Sequence, residues 1–234
     1  MLSKTTEAAW DFLKDQRVLA GFVLVGGSAL ALHLRHRISE DLDFAFSNNV
    51  LPRSALEALG LIAARASISL QPSDGEAAFE EFAAAGQDLR DYQQDFVLLG
   101  SVKTSFFVAD SLLAKVLGPG NDSGVRVASI PELFKSKCLV AARRSKTRDW
   151  LDLYLLLRYH NFTILDFRNA FVEAGDLSQC DIALSRMCSG VPQRGDEGYL
   201  HLLTSPPSLE EMKQFFIAQR EDLEIQVARA AARK

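Results

Sequence analysis

Two aspartates, Asp41 and Asp43, stand one residue apart in the run Ile38-Ser39-Glu40-Asp41-Leu42-Asp43-Phe44. Polar and apolar residues alternate from Asp41 to Phe46, the pattern of a strand. Both carboxylates therefore project from one face, about 7 Å apart along it, while Leu42 and Phe44 point to the apolar side. Adjacent carboxylates repel, and a divalent cation resolves the repulsion. Mg²⁺ takes a few carboxylates and completes its octahedron with water and phosphate oxygens. Upstream, Leu24-Val25 runs into Gly26-Gly27-Ser28. Glycines let the backbone turn sharply and approach a ligand, and a helix opening near Ser28 offers N–H groups and a positive dipole end to an anion. Singly, Gly-Gly-Ser reads as a turn and Asp-Leu-Asp as a solvated edge. In this order, one short helix apart, they are the equipment of phosphoryl or nucleotidyl transfer, where positioning and charge neutralisation dominate.

A second group lies downstream. Ile130, Leu133, Phe134, Lys137, Cys138 and Ala141 share one face of a helix, so Lys137 interrupts an apolar stripe while Lys135 points away. Its ammonium either snorkels to the surface or reaches a triphosphate. Asp149 and Asp152 share a face of the next helix. Asp149 also suits a helix N-terminus, Arg148 and Asp152 are spaced to pair, and Trp150, Leu153, Tyr154 and Leu157 form its core stripe. From Lys135 to Arg148 there are six basic residues and no acid, a local positive field for nucleotide phosphates or an RNA backbone.

These residues need elements to hold them. A helix over residues 5–18 carries Ala9, Trp10, Leu13 and Val18 on its apolar stripe. Phe22–Val25 reads as a buried strand, 28–34 as a short helix with Ser28 as N-cap, and 41–46 as a second strand. A helix over 53–65, a third strand at 66–70, a solvated acidic helix and loop over 74–95, a hairpin of 96–99 with 102–108, a loop at 117–124 and a strand at 125–128 follow. Ser129 then caps the first of four helices, over 131–142, 149–159, 164–174 and 208–232, with a loop at 189–207. The plan is α+β: a small mixed β-sheet with flanking helices over residues 1–129, then a helical region, 130–234, that closes the cleft.

Composition bounds the rest. The 234 residues are 48% hydrophobic and 24% charged, enough for one domain or two small ones. A net charge of −4 excludes a protein that coats nucleic acid through bulk charge. Cys138, Cys180 and Cys188 lack metal-ligand spacing and read as reduced thiols. The N-terminus lacks a secretory signal and no apolar run reaches membrane length, so the expected location is cytoplasmic with no membrane partner. His33, His36, His160 and His201 carry no signal of their own.

The glycine turn followed by Asp-x-Asp resembles the DNA-polymerase-β-like nucleotidyltransferase superfamily. Within it the chain resembles the AbiEii/AbiGii toxin family, whose Arg-x-Ser-x-Asp-Leu-Asp-Phe pattern matches Arg37-Ile38-Ser39-Glu40-Asp41-Leu42-Asp43-Phe44. The family's helix lysine, basic turn and Arg-Asp-aromatic-x-Asp-Leu-Tyr match Lys137, residues 143–147 and Arg148-Asp149-Trp150-Leu151-Asp152-Leu153-Tyr154. The resemblance covers about residues 20–160. It implies an enzyme moving a nucleoside monophosphate from an NTP to an acceptor, with Asp41 and Asp43 holding Mg²⁺ or Mn²⁺. Gly26, Gly27, Ser28 and Ser39 would serve the phosphates, with Ser39 itself open to modification. Lys137 would neutralise the triphosphate, and Asp152, with Asp149 and Arg148, would position the nucleotide. It further implies the toxin half of a toxin–antitoxin or phage-defence pair, with a cognate antitoxin and the tRNA 3′ end as acceptor. One departure stands out: Ser105 falls where the superfamily carries a third carboxylate. A small-molecule nucleotidyltransferase of the antibiotic-modifying kind, or a non-catalytic nucleotide-binding protein, are the alternatives.

Overall fold

The structure is a computed structural model that describes residues 1–232. The chain divides into two compact units, Met1–Ile130 and Pro131 onward.

The first unit opens with α1 (Lys4–Leu13), which buries Thr6, Ala9, Trp10 and Leu13. This helix ends at Leu13 rather than running to residue 18; Val18 lies in a 3-10 turn at Arg17–Leu19. Then come β1 (Phe22–Val25), α2 (Gly26–Leu34), β2 (Leu42–Phe46), α3 (Arg53–Arg65), β3 (Leu70–Pro72), α4 (Glu76–Ala84), β4 (Gln93–Leu98), β5 (Val102–Val108), α5 (Leu113–Val116) and β6 (Arg126–Val127). Among the described residues six strands form one mixed sheet, in the order β3-β4-β5-β2-β1-β6. β1 runs antiparallel to β2 and parallel to β6, β2 runs parallel to β5, and β3, β4 and β5 form an antiparallel meander.

Alternation along the strands explains which face is the core. Phe22, Phe44 and Phe106 are fully buried, with the Phe44 and Phe106 rings stacked at 4.9 Å. Asp43 and Ala45 take the other face of β2. The third strand starts at Leu70, so residues 66–69 precede it rather than form it. The acidic stretch ends in strand: β4 takes up Gln93, Gln94 and Asp95, three polar residues that hid its beginning.

In the second unit, α6 (Ile130–Arg143), α7 (Thr147–Tyr159), α8 (Ile164–Ala174), α9 (Ser178–Ser189) and α10 (Leu209–Ala231) follow. The expected helices hold to within a few residues. The addition is α9, whose buried face is Cys180, Ala183, Leu184 and Met187. These are mostly small or soft residues that make a faint stripe. α10 packs against α7, α8 and α9. The region 189–207 is largely loop and has a definite task. Asp196 accepts hydrogen bonds from the Thr147 N–H at 3.2 Å and from the Thr147 hydroxyl at 2.5 Å, which caps α7 from 49 residues away. No helix among the described residues is long and apolar enough to cross a membrane.

Candidate active site

Sequence places Gly26 directly after a buried strand, and the chain turns there with φ +72°. Glycine takes this left-handed conformation at little cost. The turn enters α2 at Gly26, with Val25 as N-cap, three residues earlier than a cap at Ser28 requires. Val25 is the register partner of Asp43, so β2 brings the carboxylate beside the turn. A Cβ on Gly26 would lie 2.7 Å from Asp43 Oδ2. The carboxylate thus occupies space that a side chain at residue 26 would fill. The first N–H groups of a helix have no intrahelical partner, and here they belong to Gly26, Gly27 and Ser28.

The Ser28 hydroxyl is not presented to a ligand. Ser28 is 1% exposed, and its Oγ bonds the Asp41 carbonyl and Ser39 Oγ, the latter at 3.0 Å. Ser39 is likewise buried. The two serines expected at the phosphates tie the start of α2 to the segment that carries the carboxylates. Any phosphate contact from Ser28 therefore falls to its backbone N–H. Arg37, the first residue of the stretch that runs to Phe44, is also buried. A Cβ on Gly27 would run into its guanidinium, and its Nη1 donates to the Ile38 carbonyl at 2.9 Å. The glycine pair in the sequence signalled a close approach, without naming the partner.

Asp41 stands just ahead of β2, outside its ladder, and Asp43 stands on it; both are half-buried. Ser105 is the register partner of Asp43 across β5, and Asp95 on β4 is the partner of Ser105. An acid therefore does lie in this row, one strand further out than Ser105. Among the described residues no group of three His, Cys, Asp or Glu forms a metal cluster. The donor set of two hard carboxylates beside a glycine turn fits a divalent cation whose remaining positions go to water and phosphate.

In the second unit, the buried face of α6 carries Lys137 inward, 6% exposed. Its Nζ lies 2.7 Å from Asp149 and 2.7 Å from Asp152 on α7. Asp152 is wholly buried. Arg144, from the basic turn, reaches Asp149 at 2.8 Å. Burial alone would raise the Asp149 carboxyl, but the charges of Lys137 and Arg144 and their hydrogen bonds hold it below the usual carboxylate range. Lys137, Asp149 and Asp152 are thus brought together as a buried ion network, which neither a snorkelling stem nor a solvated lysine describes. Arg148 donates to the Gly198 carbonyl at 3.0 Å. Lys135, pointing away as expected, pairs with Glu173.

The mixed sheet thus seats a glycine turn against Asp43, with Asp41 two residues before it. The profile described as "Nucleotidyl transferase AbiEii toxin, Type IV TA system" matches residues 11–232. The chain belongs to that family, the nucleotidyltransferase toxins of type IV toxin–antitoxin systems. It is 24% identical over 163 residues to an uncharacterized protein of Aquifex aeolicus, aq_aa25, covering 70% of each chain. Its fold is similar to that of MenT4, the nucleotidyltransferase toxin Rv2826c from Mycobacterium tuberculosis H37Rv. That similarity has a TM-score of 0.56 at 17% identity, over 90% of this chain and 81% of that one. JHP933 from Helicobacter pylori is similar with a TM-score of 0.53 at 17% identity, over 99% of both chains.

Proposed function

We propose that the enzyme transfers a nucleoside monophosphate from an NTP to the 3′ end of a tRNA, with Mg²⁺ or Mn²⁺ held by Asp41 and Asp43. The observation that carries this reading is the seat of Asp43 against the Gly26 turn, where a cation-holding carboxylate and an anion-binding helix start converge. A divalent ion bound there would neutralise charge on the phosphates and polarise the α-phosphorus. The N–H groups of Gly26, Gly27 and Ser28 hold phosphate oxygens. Ser28, Ser39 and Arg37 keep the turn and the carboxylates in register. The acceptor hydroxyl attacks the α-phosphorus, the bond to the β-phosphate oxygen breaks, and pyrophosphate leaves.

Lys137, which the resemblance places at the triphosphate, is closed between Asp149 and Asp152, so its charge goes to those two carboxylates and fixes α6 to α7. The tRNA acceptor is supported by the basic turn, where Arg143 and Arg144 are exposed and Arg148 is half-buried. A cognate antitoxin is the protein partner, and the cytoplasm, where both NTP and tRNA reside, is the site of action.

The test is incubation of the full chain with each α-labelled NTP and total RNA, with and without Mg²⁺. Label at tRNA 3′ ends, lost in Asp43→Asn, is the expected result. Label on a small molecule instead would move the acceptor to the antibiotic-modifying class. Tight NTP binding without pyrophosphate release at any metal concentration would sink the catalytic reading.

A further inference from the structure

The sheet positions Asp43 but leaves Asp41 outside it. Asp43 is laddered on both sides, to Val25 and to Ser105. Residues 36–41 lack regular secondary structure beyond a bridge at Ser39, after α2 ends with Arg35 in the left-handed region at φ 51°. Such a segment has rotational freedom that a metal ligand cannot retain, since a useful site is held to within about 0.5 Å.

The segment is instead held by main-chain and hydroxyl contacts at three consecutive residues. Leu2 forms a parallel bridge with Ser39. The Ser3 N–H donates to the Ser39 carbonyl at 3.1 Å, and the Ser39 N–H donates to the Met1 carbonyl at 2.9 Å. The Thr6 hydroxyl donates to the Glu40 carbonyl at 3.0 Å. Ser28, from the opposite side, bonds the Asp41 carbonyl. Thr6 is 1% exposed, and its Oγ1 also meets Ser3 Oγ, the N-cap of α1, at 2.8 Å.

We infer that residues 2–6 are a strap that positions the Asp41 carboxylate, with the Thr6 hydroxyl as its fastening point on Glu40. This inference rests on the reading of Asp41 as a metal ligand. Thr6 is a positioning residue: it touches neither cation nor substrate and acts through the carbonyl next to the ligand. A valine there keeps the shape and removes the hydroxyl, while a serine keeps the hydroxyl.

The experiment compares the full chain with Thr6→Val, Thr6→Ser and Asp41→Asn. Mn²⁺ binding is read from the electron-paramagnetic signal of the free ion, alongside NTP turnover and thermal melting. Thr6→Val is expected to weaken Mn²⁺ binding and lower kcat by about tenfold each, the low end for a partner that orients a ligand. KM for NTP should stay within about twofold, and Thr6→Ser should recover both losses. Unchanged Mn²⁺ affinity in Thr6→Val, with only the melting temperature lowered, overturns the strap.

Should Thr6→Val fail to fold, amide exchange of the unsubstituted chain decides the matter. By reciprocity of coupled equilibria, Mn²⁺ should slow exchange at the Ser3 and Ser39 amides, and no change there overturns the proposal. Asp41→Asn separates the two ideas. If it binds Mn²⁺ as the unsubstituted chain does, the metal reading falls and the strap with it. If Asp41→Asn loses Mn²⁺ while Thr6→Val does not, the strap alone falls.

Discussion

The two units handle charge in opposite ways. In the first, Asp41 and Asp43 are half-buried beside a helix start, and Thr6 and Ser28 bond the backbone carbonyls of Glu40 and Asp41. In the second, Lys137, Asp149 and Asp152 are sealed together with contacts of 2.7 Å. A half-buried carboxylate keeps contact with water, so removing its charge costs little stability. A sealed network is the reverse, because deleting one member strands its partners in a low-dielectric interior. The same residue types therefore have different consequences in the two places.

The largest effect should come from breaking the sealed network. Lys137→Met leaves two buried carboxylates short of a cation and should cost about 3–5 kcal/mol of stability, read from urea unfolding. A change under about 1 kcal/mol would show that the network is far more hydrated than its burial indicates.

Next comes the open site. Asp43→Asn should lower nucleotidyl transfer by about 100- to 1,000-fold while the unfolding free energy changes by less than about 1 kcal/mol, because a half-buried carboxylate keeps contact with water. Gly26→Ala tests the turn between these extremes. The left-handed conformation costs a Cβ-bearing residue about 1–2 kcal/mol, and the new Cβ would push on Asp43. Both stability and activity should fall. A loss of stability alone would separate the turn from the chemistry.

The smallest effect is that of pH. Asp149 titrates below the usual carboxylate value in the folded chain. Its contribution is thus fully present above the unfolded value of about 3.9 and is lost as pH falls through the lower folded value. Urea midpoints of the unsubstituted chain and Asp149→Asn should differ most at neutral pH and converge as the pH falls below about 4. A constant gap down to pH 2 would mean that Asp149 has no special pairing.

Legibility in the sequence followed contact range. The glycine turn, α2 and the Asp-x-Asp strand lie within residues 22–46, and alternation alone put Asp43 opposite Phe44. The start of β4 is illegible in the sequence because Gln93, Gln94 and Asp95 look like loop until pairing with β5 is known. α9 is hidden in the sequence because its buried face is too weakly apolar to stand out. Lys137 was singled out as a cation in an apolar stripe, yet spacing could not tell which acids meet it. Arg37 and Thr6 gave no signal of their own, because what they do depends on chain segments that fold back onto residues 38–41.

By itself the sequence determined the chemistry available: two carboxylates two positions apart, a glycine turn before a helix, a lysine on an apolar face, and motifs sufficient to name the family. Side-chain type and local period are written in the residues, so these needed no partner. The tertiary structure decided how each charge is used. It set the Ser28 and Ser39 hydroxyls to hold the Asp41 segment, and it closed Lys137 between two aspartates. It also sent Asp196 across 49 residues to cap α7. The physical reason is that hydrogen bonding and desolvation depend on which groups meet in space, and that is settled only when distant segments pack.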